Sequence, residues 1–173
     1  MTSLGLDLSL TATASVLLVN GEMKDYVLIK TKPSGKNPTD ELNRLLLIRE
    51  RLMIDDVTPD IVVVEGLAFM ARNTTALVQL SGLNYLVREL LWSKDIPFVI
   101  VSPSTLKKFV TGKGNAKKDQ MLLETYKRYN VSFEDDNLCD AFGLAKIGEA
   151  LSAANPPITK EQDQTIEILR KQL

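Results

Sequence analysis

The sequence contains no histidine and only one cysteine, Cys139. The lack of histidine excludes imidazole bases, histidine-containing triads and histidine-ligated zinc within this chain. A single cysteine cannot form an internal disulfide bond, and this usage is typical of a reducing compartment, so we expect a cytoplasmic protein. Any catalysis by this chain must therefore rest on carboxylates, lysines, hydroxyls or a bound metal ion.

Long apolar runs are also missing. No stretch approaches the ~20 residues that span a bilayer, and the N-terminus lacks the basic and apolar regions of a secretory signal. The 173 residues, 45% hydrophobic and 25% charged, predict a globular protein with a substantial core. The net charge of −1 favours no particular class of partner.

Basic residues are concentrated in one segment, where seven of them accompany only two acidic residues, Asp119 and Glu124. The basic residues of this segment are Lys107, Lys108, Lys113, Lys117, Lys118, Lys127 and Arg128. A local excess of positive charge on a near-neutral chain indicates an anionic partner such as nucleic acid. The alternative is an ordinary solvated face.

Apolar periodicity predicts an α/β fold with one mixed five-stranded sheet in the order βββαβαβα, flanked by helices. The predicted strands are 3–10, 13–19, 24–30, 60–65 and 98–101. Asn20-Gly21 predicts a tight hairpin between the second and third strands, and Thr39 and Ser102 are predicted helix N-caps. The main predicted helices are 74–93, 117–129 and 137–152.

The chain is divided into a domain at 1–152 and a linker with a C-terminal helix at 153–173. Residues 153–157 read AANPP, which is typical of a linker. Ile166, Leu169 and Leu173 then form a narrow apolar stripe. Docking of this helix on the domain, docking on a partner and fraying all remain open.

Three acidic residues stand at unusual places in apolar elements. Asp7 lies within the first strand, LGLDLSLT; Glu65 ends the apolar run IVVV; and Asp140 lies in the helix DNLCDAFGLA. Each also has an ordinary explanation: Asp7 as a hydrogen-bond partner in a turn, Glu65 as an exposed strand end, and Asp140 as a partner of the helix dipole. Together, on neighbouring elements, they indicate one shared site, because an isolated buried carboxylate is costly. Oxygen ligands without histidine favour Mg²⁺ or Mn²⁺.

The ordered motifs GLDLS, VVVEG and DNLCDA resemble the RuvC family of Holliday-junction resolvases, which have the RNase H-like fold. The segments FMARNTTALVQLSGLNYLV (69–87) and PFVIVSPSTLKKFVTGKGNAKKDQM (97–121) extend the resemblance over residues 3–150. It implies an endonuclease with two Mg²⁺ ions per site, replaceable by Mn²⁺, that resolves four-way DNA by paired symmetric nicks. These would leave 5′-phosphate and 3′-hydroxyl ends. A broader flap and fork nuclease, and a junction-binding protein with weakened catalysis, are the alternatives.

The resemblance also implies roles for individual residues. Asp7, Glu65 and Asp140 match three of the family's four metal-binding acids, and the fourth position holds Asn137 instead of an acid. An amide oxygen can still ligate a metal ion or position water. The register of the motif favours Asn137 as the fourth metal-binding and catalytic residue, with Asp136, one helical turn before Asp140, as the reserve that could supply the missing charge.

Basic and aromatic residues of this chain match DNA-contacting positions of the family. Lys118 matches a basic residue near the scissile phosphate, and Phe69 resembles an aromatic residue that inserts among bases, although its spacing from Glu65 is one residue longer than usual. Further predicted DNA contacts are Arg72, Lys108, Lys113 and Lys117.

The resemblance implies a homodimer through the helix at 74–93. Its apolar stripe comprises Leu77, Leu80, Asn84, Val87 and Leu91, and Ser81 with Gly82 permits close approach. The alternative is a core helix packed on the sheet, and one helix can do both. The need for helicase partners remains open. Near-neutral charge and a divergent C-terminus are consistent with a phage origin, which would put the protein in the cytoplasm of a bacterial host.

Overall fold

A five-stranded mixed sheet in the order β3-β2-β1-β4-β5 forms the centre of the computed structural model, which describes residues 1–33, 35, 37–67, 74–152 and 157–173. The strands are β1 (Thr2–Asp7), β2 (Ala12–Val19), β3 (Glu22–Lys30), β4 (Ile61–Glu65) and β5 (Phe98–Val101). β1 pairs antiparallel with β2 and parallel with β4, and β4 pairs parallel with β5. The predicted mixed five-stranded sheet is confirmed, with β1 at its centre.

Helices cover both faces of the sheet. They are α1 (Pro38–Glu50), α2 (Ile54–Val57), α3 (Thr74–Ser93), α4 (Pro103–Thr111), α5 (Lys118–Tyr129), α6 (Asp136–Leu151) and α7 (Lys160–Leu169), followed by a 3₁₀ turn at Arg170–Gln172. One hydrophobic cluster packs α1 and α3 against one face of the sheet. Two other clusters pack the helices from α4 through α7 against the opposite face. No helix within the described ranges has the length and apolar character needed to cross a membrane.

β1 ends at Asp7, although the apolar alternation predicts a strand to Leu10. The difference has a local cause. Ser9 Oγ accepts hydrogen bonds from the N–H groups of Thr11 and Ala12, at 3.2 and 3.4 Å. Thr13 Oγ1 accepts another from the Ser9 N–H, at 3.0 Å. Such local bonds compete with the strand ladder and turn the chain, so Asp7 becomes the last residue of the strand.

The predicted chain reversals and helix starts are mostly confirmed. Asn20 and Gly21 have φ values of 50° and 90°, as a two-residue hairpin requires. Ser102 caps α4, but the prediction of Thr39 for α1 is wrong. Asn37 is the cap, and its Oδ1 accepts from the Asp40 N–H at 2.8 Å. Pro38 occupies the first helical position, where its fixed φ and missing N–H are favourable.

α6 lies directly against β1 because the facing residues are small. A Cβ atom on Gly5 would lie only 2.0 Å from the carbonyl oxygen of Ala141 and 2.4 Å from the Ala145 nitrogen. Further along, Ser3 Oγ donates to the Ala145 carbonyl at 2.8 Å, and Gly148 lies against Ser3. The contacts move toward the start of β1 as α6 proceeds. The N-terminus of α6 therefore lies at the C-terminal end of β1.

The C-terminal helix α7 docks on the domain, which was one of the open alternatives. Its Ile166 and Leu169 are buried in the same cluster as residues of α4 and α6. Gln162 Nε2 also donates to the Tyr129 hydroxyl at 3.1 Å. The predicted linker at 153–157 falls mostly on 153–156, outside the described residues.

Candidate functional site

Two carboxylates meet at the C-terminal ends of adjacent parallel strands. Leu6 of β1 pairs with Val64 of β4, so Asp7 and Glu65 are the next residues of neighbouring strands, which lie ~4.8 Å apart in a sheet. Their two carboxyl groups interact through a side-chain hydrogen bond. Asp7 is only 6% exposed, whereas Glu65 is half-buried.

The first two turns of α6 add two more acidic side chains. Asp136 and Asp140 lie one turn apart, and both interact electrostatically with Asp7. Asp140 also interacts with Glu65. The structure thus gathers four carboxyl groups from β1, β4 and α6, which we call the carboxyl cluster. It includes all three acids singled out in the sequence.

The carboxyl cluster combines four acidic groups in a poorly hydrated position, which disfavours their ionised forms. Burial, followed by the charges of its acidic neighbours, raises the pKa of Asp7 to about 9. Burial is also the main cause that raises the pKa of Asp140 to about 7 and the pKa of Glu65 above its ordinary value. The cluster consequently retains protons that free carboxyl groups lose near pH 4.

Two lysines offset part of this charge. Lys118, at the start of α5, forms an ion pair with Asp136, which holds the pKa of Asp136 below its usual value and raises that of Lys118. Lys107, on α4, lowers the pKa values of both Glu65 and Asp140 against the effect of burial. The Lys118 side chain is 77% exposed, so its pairing with Asp136 is open to solvent and easily exchanged.

A small cavity of about 70 Å³ adjoins the carboxyl cluster. The cavity is lined both by charged residues of this site and by apolar residues that border the hydrophobic core. These residues are Lys107, Lys118, Met121, Leu122, Asp136, Cys139 and Asp140. The Cys139 thiol is buried, lies 3.3 Å from Thr125 Oγ1, and has its pKa raised by burial to about 11. Cys139 is therefore a neutral packing residue.

Asn137 and Asp136 differ in what they contact. Asn137 Nδ2 donates to Asp135 Oδ1 at 2.9 Å, and its backbone N–H donates to the same oxygen at 2.9 Å. Asn137 is therefore engaged with the N-cap of α6. Asp136 instead lines the cavity and interacts with Asp7 and Asp140. Of the two alternatives for the fourth ligand, Asp136 is the one directed toward the other carboxylates.

The donor set fits a hard divalent cation, although its side chains are not arranged around one in this structure. Within the described ranges, no three Asp, Glu or Cys side chains form a group that could hold a metal ion as they stand. Asp7 is bonded to Glu65, and Asp136 is paired with Lys118. Buried, negatively charged oxygen donors are nevertheless the ligands that Mg²⁺ and Mn²⁺ prefer.

The other predicted basic residues lie around the start of α5. Lys113 and Lys117 are exposed, and Lys108 is half-buried on α4. An added Cβ on Gly114 would lie 3.2 Å from the Ser104 carbonyl oxygen, so the TGKGN loop folds back along the first turn of α4. Phe69 and Arg72 fall outside the described residues, and their roles stay predictions.

Lys107 is the residue of this site that the sequence analysis did not single out. It was counted in the basic segment, but its proximity to Glu65 and Asp140 was not predicted. A signal was present. α4 begins directly after β5, so its first turn lies at the C-terminal end of the parallel strands, where Glu65 also lies. Helical side chains lean toward the helix N-terminus, so a lysine in the second turn of such a helix reaches this end of the strands.

The apolar stripe predicted for the dimer contact is largely a core face. Asn84, Val87 and Leu91 are buried against the sheet, which confirms the alternative of a core helix for these residues. A different face of α3 points outward. Val78, Tyr85 and Trp92 recur every seven residues and are 63%, 66% and 74% exposed.

The family model described as crossover junction endodeoxyribonuclease RuvC matches residues 4–146. Curated relatives include the RuvC proteins of Chlamydia caviae, 32% identical over 97 residues, and Chlamydia abortus, 34% identical over 100 residues. Each alignment covers 54% of this chain, and it spans 57% and 58% of the respective relative. The chain thus spans little more than half the length of these relatives.

Solved structures of Holliday junction resolvases have a similar fold. Thermus thermophilus RuvC in complex with a Holliday junction substrate matches with a TM-score of 0.69 at 19% identity, over 84% of this chain and 90% of that chain. The yeast mitochondrial Holliday junction resolvase Ydc2 matches with a TM-score of 0.62 at 12% identity, over 98% and 81% of the two chains. At these identities the likeness shows a shared fold, the RNase H-like fold predicted from the sequence.

Proposed function

The chain belongs to the RuvC family, and we propose on this basis that it is a divalent-metal-dependent endonuclease that resolves four-way DNA junctions. The observation that carries the proposal is the carboxyl cluster. The carboxyl groups of Asp7, which is buried, and of Glu65 and Asp140, which are half-buried, lie together and interact electrostatically, and two lysines lie beside them. A DNA-binding surface normally avoids such charge unless cations are bound there.

In this proposal, Asp7, Glu65, Asp140 and Asp136 hold two Mg²⁺ ions, for which Mn²⁺ substitutes. Bound divalent ions supply Lewis acidity, which favours ionisation of the attacking water and stabilises the charge on the leaving oxygen. Asp7 and Glu65, at the C-terminal ends of β1 and β4, would hold such ions together with the two acids of α6. No side-chain base is required, in keeping with the absence of histidine. The expected products carry 5′-phosphate and 3′-hydroxyl ends.

Lys118 and Lys107 act on the phosphate in different ways. The ion pair of Lys118 with Asp136 is exposed, so the ammonium group of Lys118 can exchange Asp136 for an arriving phosphate, and Asp136 would then be available as a ligand. Lys107 is less exposed and stays beside Glu65 and Asp140, where it limits the repulsion among the carboxylates. Both add positive charge where negative charge develops during phosphodiester cleavage. Lys108, Lys113 and Lys117 contact the DNA backbone nearby, and Phe69 and Arg72 remain predicted DNA contacts.

The fourth metal ligand is Asp136 in this proposal, with Asn137 as the alternative from the register of the family motif. Support comes from the direction of the two side chains. Asp136 interacts with Asp7 and Asp140, whereas Asn137 is bonded to Asp135. The departure from the family pattern at position 137 is then compensated by the neighbouring residue.

Paired nicks on a two-fold symmetric junction call for a two-fold symmetric dimer. We propose that its interface includes the outward face of α3. The exposed Val78, Tyr85 and Trp92 supply the aromatic and apolar character that interfaces favour. Sedimentation equilibrium at micromolar concentration tests this. A monomer that still produces paired nicks would contradict it.

A labelled synthetic four-way junction, incubated with Mg²⁺ or Mn²⁺, tests the function directly. We expect symmetric nicks in opposing strands, lost in Asp7→Asn, a near-isosteric change. A flap and a replication fork serve as comparison substrates. Equal cleavage of all three would favour a broader branched-DNA nuclease. Junction binding that persists in EDTA, without nicks in either metal, would favour a binding protein, a candidate that the Asn137 departure motivates.

A further inference from the structure

The C-terminal tail is attached to the edge of the sheet. Gln172 Oε1 accepts a hydrogen bond from the Ile100 N–H at 2.9 Å, and Gln172 Nε2 donates to the Ile100 carbonyl at 3.0 Å. Because β5 is an edge strand, these backbone groups point away from the sheet, where an edge strand has no ladder partner. One side-chain amide thus takes the place of a neighbouring strand.

This attachment lies close to the carboxyl cluster. Val101 pairs with Glu65, and Ile100 pairs with Val64. With neighbouring strands ~4.8 Å apart, the line of β5 lies roughly 10 Å from β1, where Asp7 stands. The tail is also anchored by α7, because Ile166 and Leu169 of that helix are buried in the core. The position of the tail relative to the cluster is therefore fixed by the fold.

The tail carries two cations at this place. Arg170 and Lys171 belong to the same 3₁₀ turn as Gln172, and both are exposed. Neither forms an ion pair with any residue in the described part of the chain. Glu167, one turn earlier, is the nearest acid in sequence, and it too makes no such pair. Lys107 and Lys118 lie on the side of the carboxyl cluster that α4 and α5 form, whereas Arg170 and Lys171 lie beside the edge strand β5.

We propose that Arg170 and Lys171 bind the phosphate backbone of one duplex arm of the junction, and that Gln172 positions them to do so. The inference rests on the proposed function, because it takes the DNA to lie at the carboxyl cluster. Phosphates follow one another at roughly 3.4 Å of helix axis per strand step. A strand that passes the cluster therefore reaches the tail within about four nucleotides. The tail lies beyond residues 4–146, which match the family model.

The test measures binding of a fluorescent four-way junction by the full chain in Ca²⁺, over a series of salt concentrations. The variants are Arg170→Gln/Lys171→Gln, Gln172→Ala, and a charge-matched control, Lys24→Gln/Lys160→Gln, whose exposed lysines lie on β3 and at the start of α7. Far-UV circular dichroism and urea midpoints verify that all of them are folded. A nicking assay of the unmodified chain in Mg²⁺ runs in parallel.

Loss of two phosphate contacts reduces the slope of log K against log salt by about 1.8 and weakens binding roughly tenfold at low salt. We expect both effects for Arg170→Gln/Lys171→Gln, and neither for the control. Gln172→Ala, which removes no charge, should weaken binding in the same direction. A purely structural role of the tail would lower the urea midpoint instead.

Each other result overturns a defined part of the inference. An unmodified chain that binds and nicks the junction, with the Arg170→Gln/Lys171→Gln slope equal to that of the control, refutes the phosphate contact and leaves the proposed function intact. Gln172→Ala that binds as tightly as the unmodified chain refutes the positioning role. Failure of the unmodified chain to bind or nick the junction overturns the proposed function, and this inference with it.

Discussion

The two ends of α6 bury acidic residues in opposite ways. At the N-terminal end, Asp136 and Asp140 meet Asp7 and Glu65, and the pKa of Asp7 is raised to about 9. At the C-terminal end, Glu149 is only 2% exposed, but its Oε2 lies 2.9 Å from Lys146 Nζ.

Lys146 is itself well supplied with partners. Its ammonium group also donates to the Gly21 carbonyl at 2.7 Å, and it lies 5.3 and 5.5 Å from the ring centres of Tyr129 and Phe142. The C-terminal end thus carries its own counter-charge, whereas the N-terminal end has more carboxylates than cations. A buried carboxylate with a partner of its own is a structural element. A group of them without enough partners indicates a site for a cation from solution.

The largest effect should come from changing the N-terminal end. Asp140→Asn should reduce junction nicking by more than about 10³-fold, the upper range for the loss of one electrostatic stabiliser. The same change should leave the protein folded, because it relieves repulsion. Single-turnover nicking in Mg²⁺, together with a urea titration, measures both. Retained nicking would remove Asp140 from the catalytic residues.

The opposite end should respond through stability. Lys146→Met leaves Glu149 buried without its partner, and we expect a loss of about 3–5 kcal/mol in the free energy of unfolding. The double variant Lys146→Met/Glu149→Leu should recover much of this loss, since it removes the unpaired charge as well. Urea denaturation compares the two. A single variant as stable as the unmodified chain would end the contrast between the two ends of α6.

The lysines of α4 divide by their distance from the cluster. Lys107→Met should lower nicking by about 10²-fold, because Lys107 acts on Glu65 and Asp140 in a partly water-excluded site. Lys108→Met, its neighbour on the same helix, is the matched control and should lose less than about tenfold. Equal losses in the two variants would show that only the overall charge of α4 matters.

Variants of Asp136 and Asn137 test which of the two is the fourth metal ligand at the N-terminal end of α6. We expect Asp136→Asn to lower nicking by about 10–100-fold, the range for weakened support of a metal site. Asn137→Ala should change it by less than about threefold. Nicking rates at several Mg²⁺ concentrations distinguish a weakened metal site from a slower reaction. The reverse ranking would restore Asn137 as the ligand.

The last prediction concerns stability against pH without divalent ions, and it does not involve DNA. The folded-state pKa values of Asp7 and Asp140, about 9 and about 7, exceed the ordinary value of 3.8. The folded protein therefore holds protons that the unfolded chain releases. The stabilisation is complete below about pH 4 and is lost as pH rises toward 9. In EDTA the Tm should fall over this range, less steeply in Asp7→Asn, and each kcal/mol corresponds to about 2–4 °C. A flat profile in the unmodified chain would contradict the raised pKa values.

The sequence predicts the sheet and the proximity of the three principal acids, because both follow from local pattern, while the roles of these acids stay a prediction. Alternating or continuous apolar runs mark the strands, and Asp7 and Glu65 stand where those runs end. Parallel pairing then brings them together without further information. Asp140 is recognised because an acid in an apolar helix is conspicuous.

The details that depend on side-chain direction were not accessible from the sequence. Asp136 and Asn137 are adjacent, and only the contact of Asn137 with Asp135 separates them. Val87 and Leu91 are as apolar as an interface requires, but the sheet covers them. The proximity of Lys107 and the attachment of Gln172 to Ile100 depend on how distant segments meet, which periodicity does not encode.

Trp92 is the single tryptophan of the chain, and it lies 74% exposed on the outward face of α3. When the protein is excited at the long-wavelength edge of its absorption band, nearly all of its fluorescence therefore comes from this one indole ring, which lies on the proposed interface. Its emission maximum should move to shorter wavelength, and its quenching by iodide should weaken, as protein concentration rises. The chain thus contains its own optical reporter of self-association, separate from any measurement on DNA.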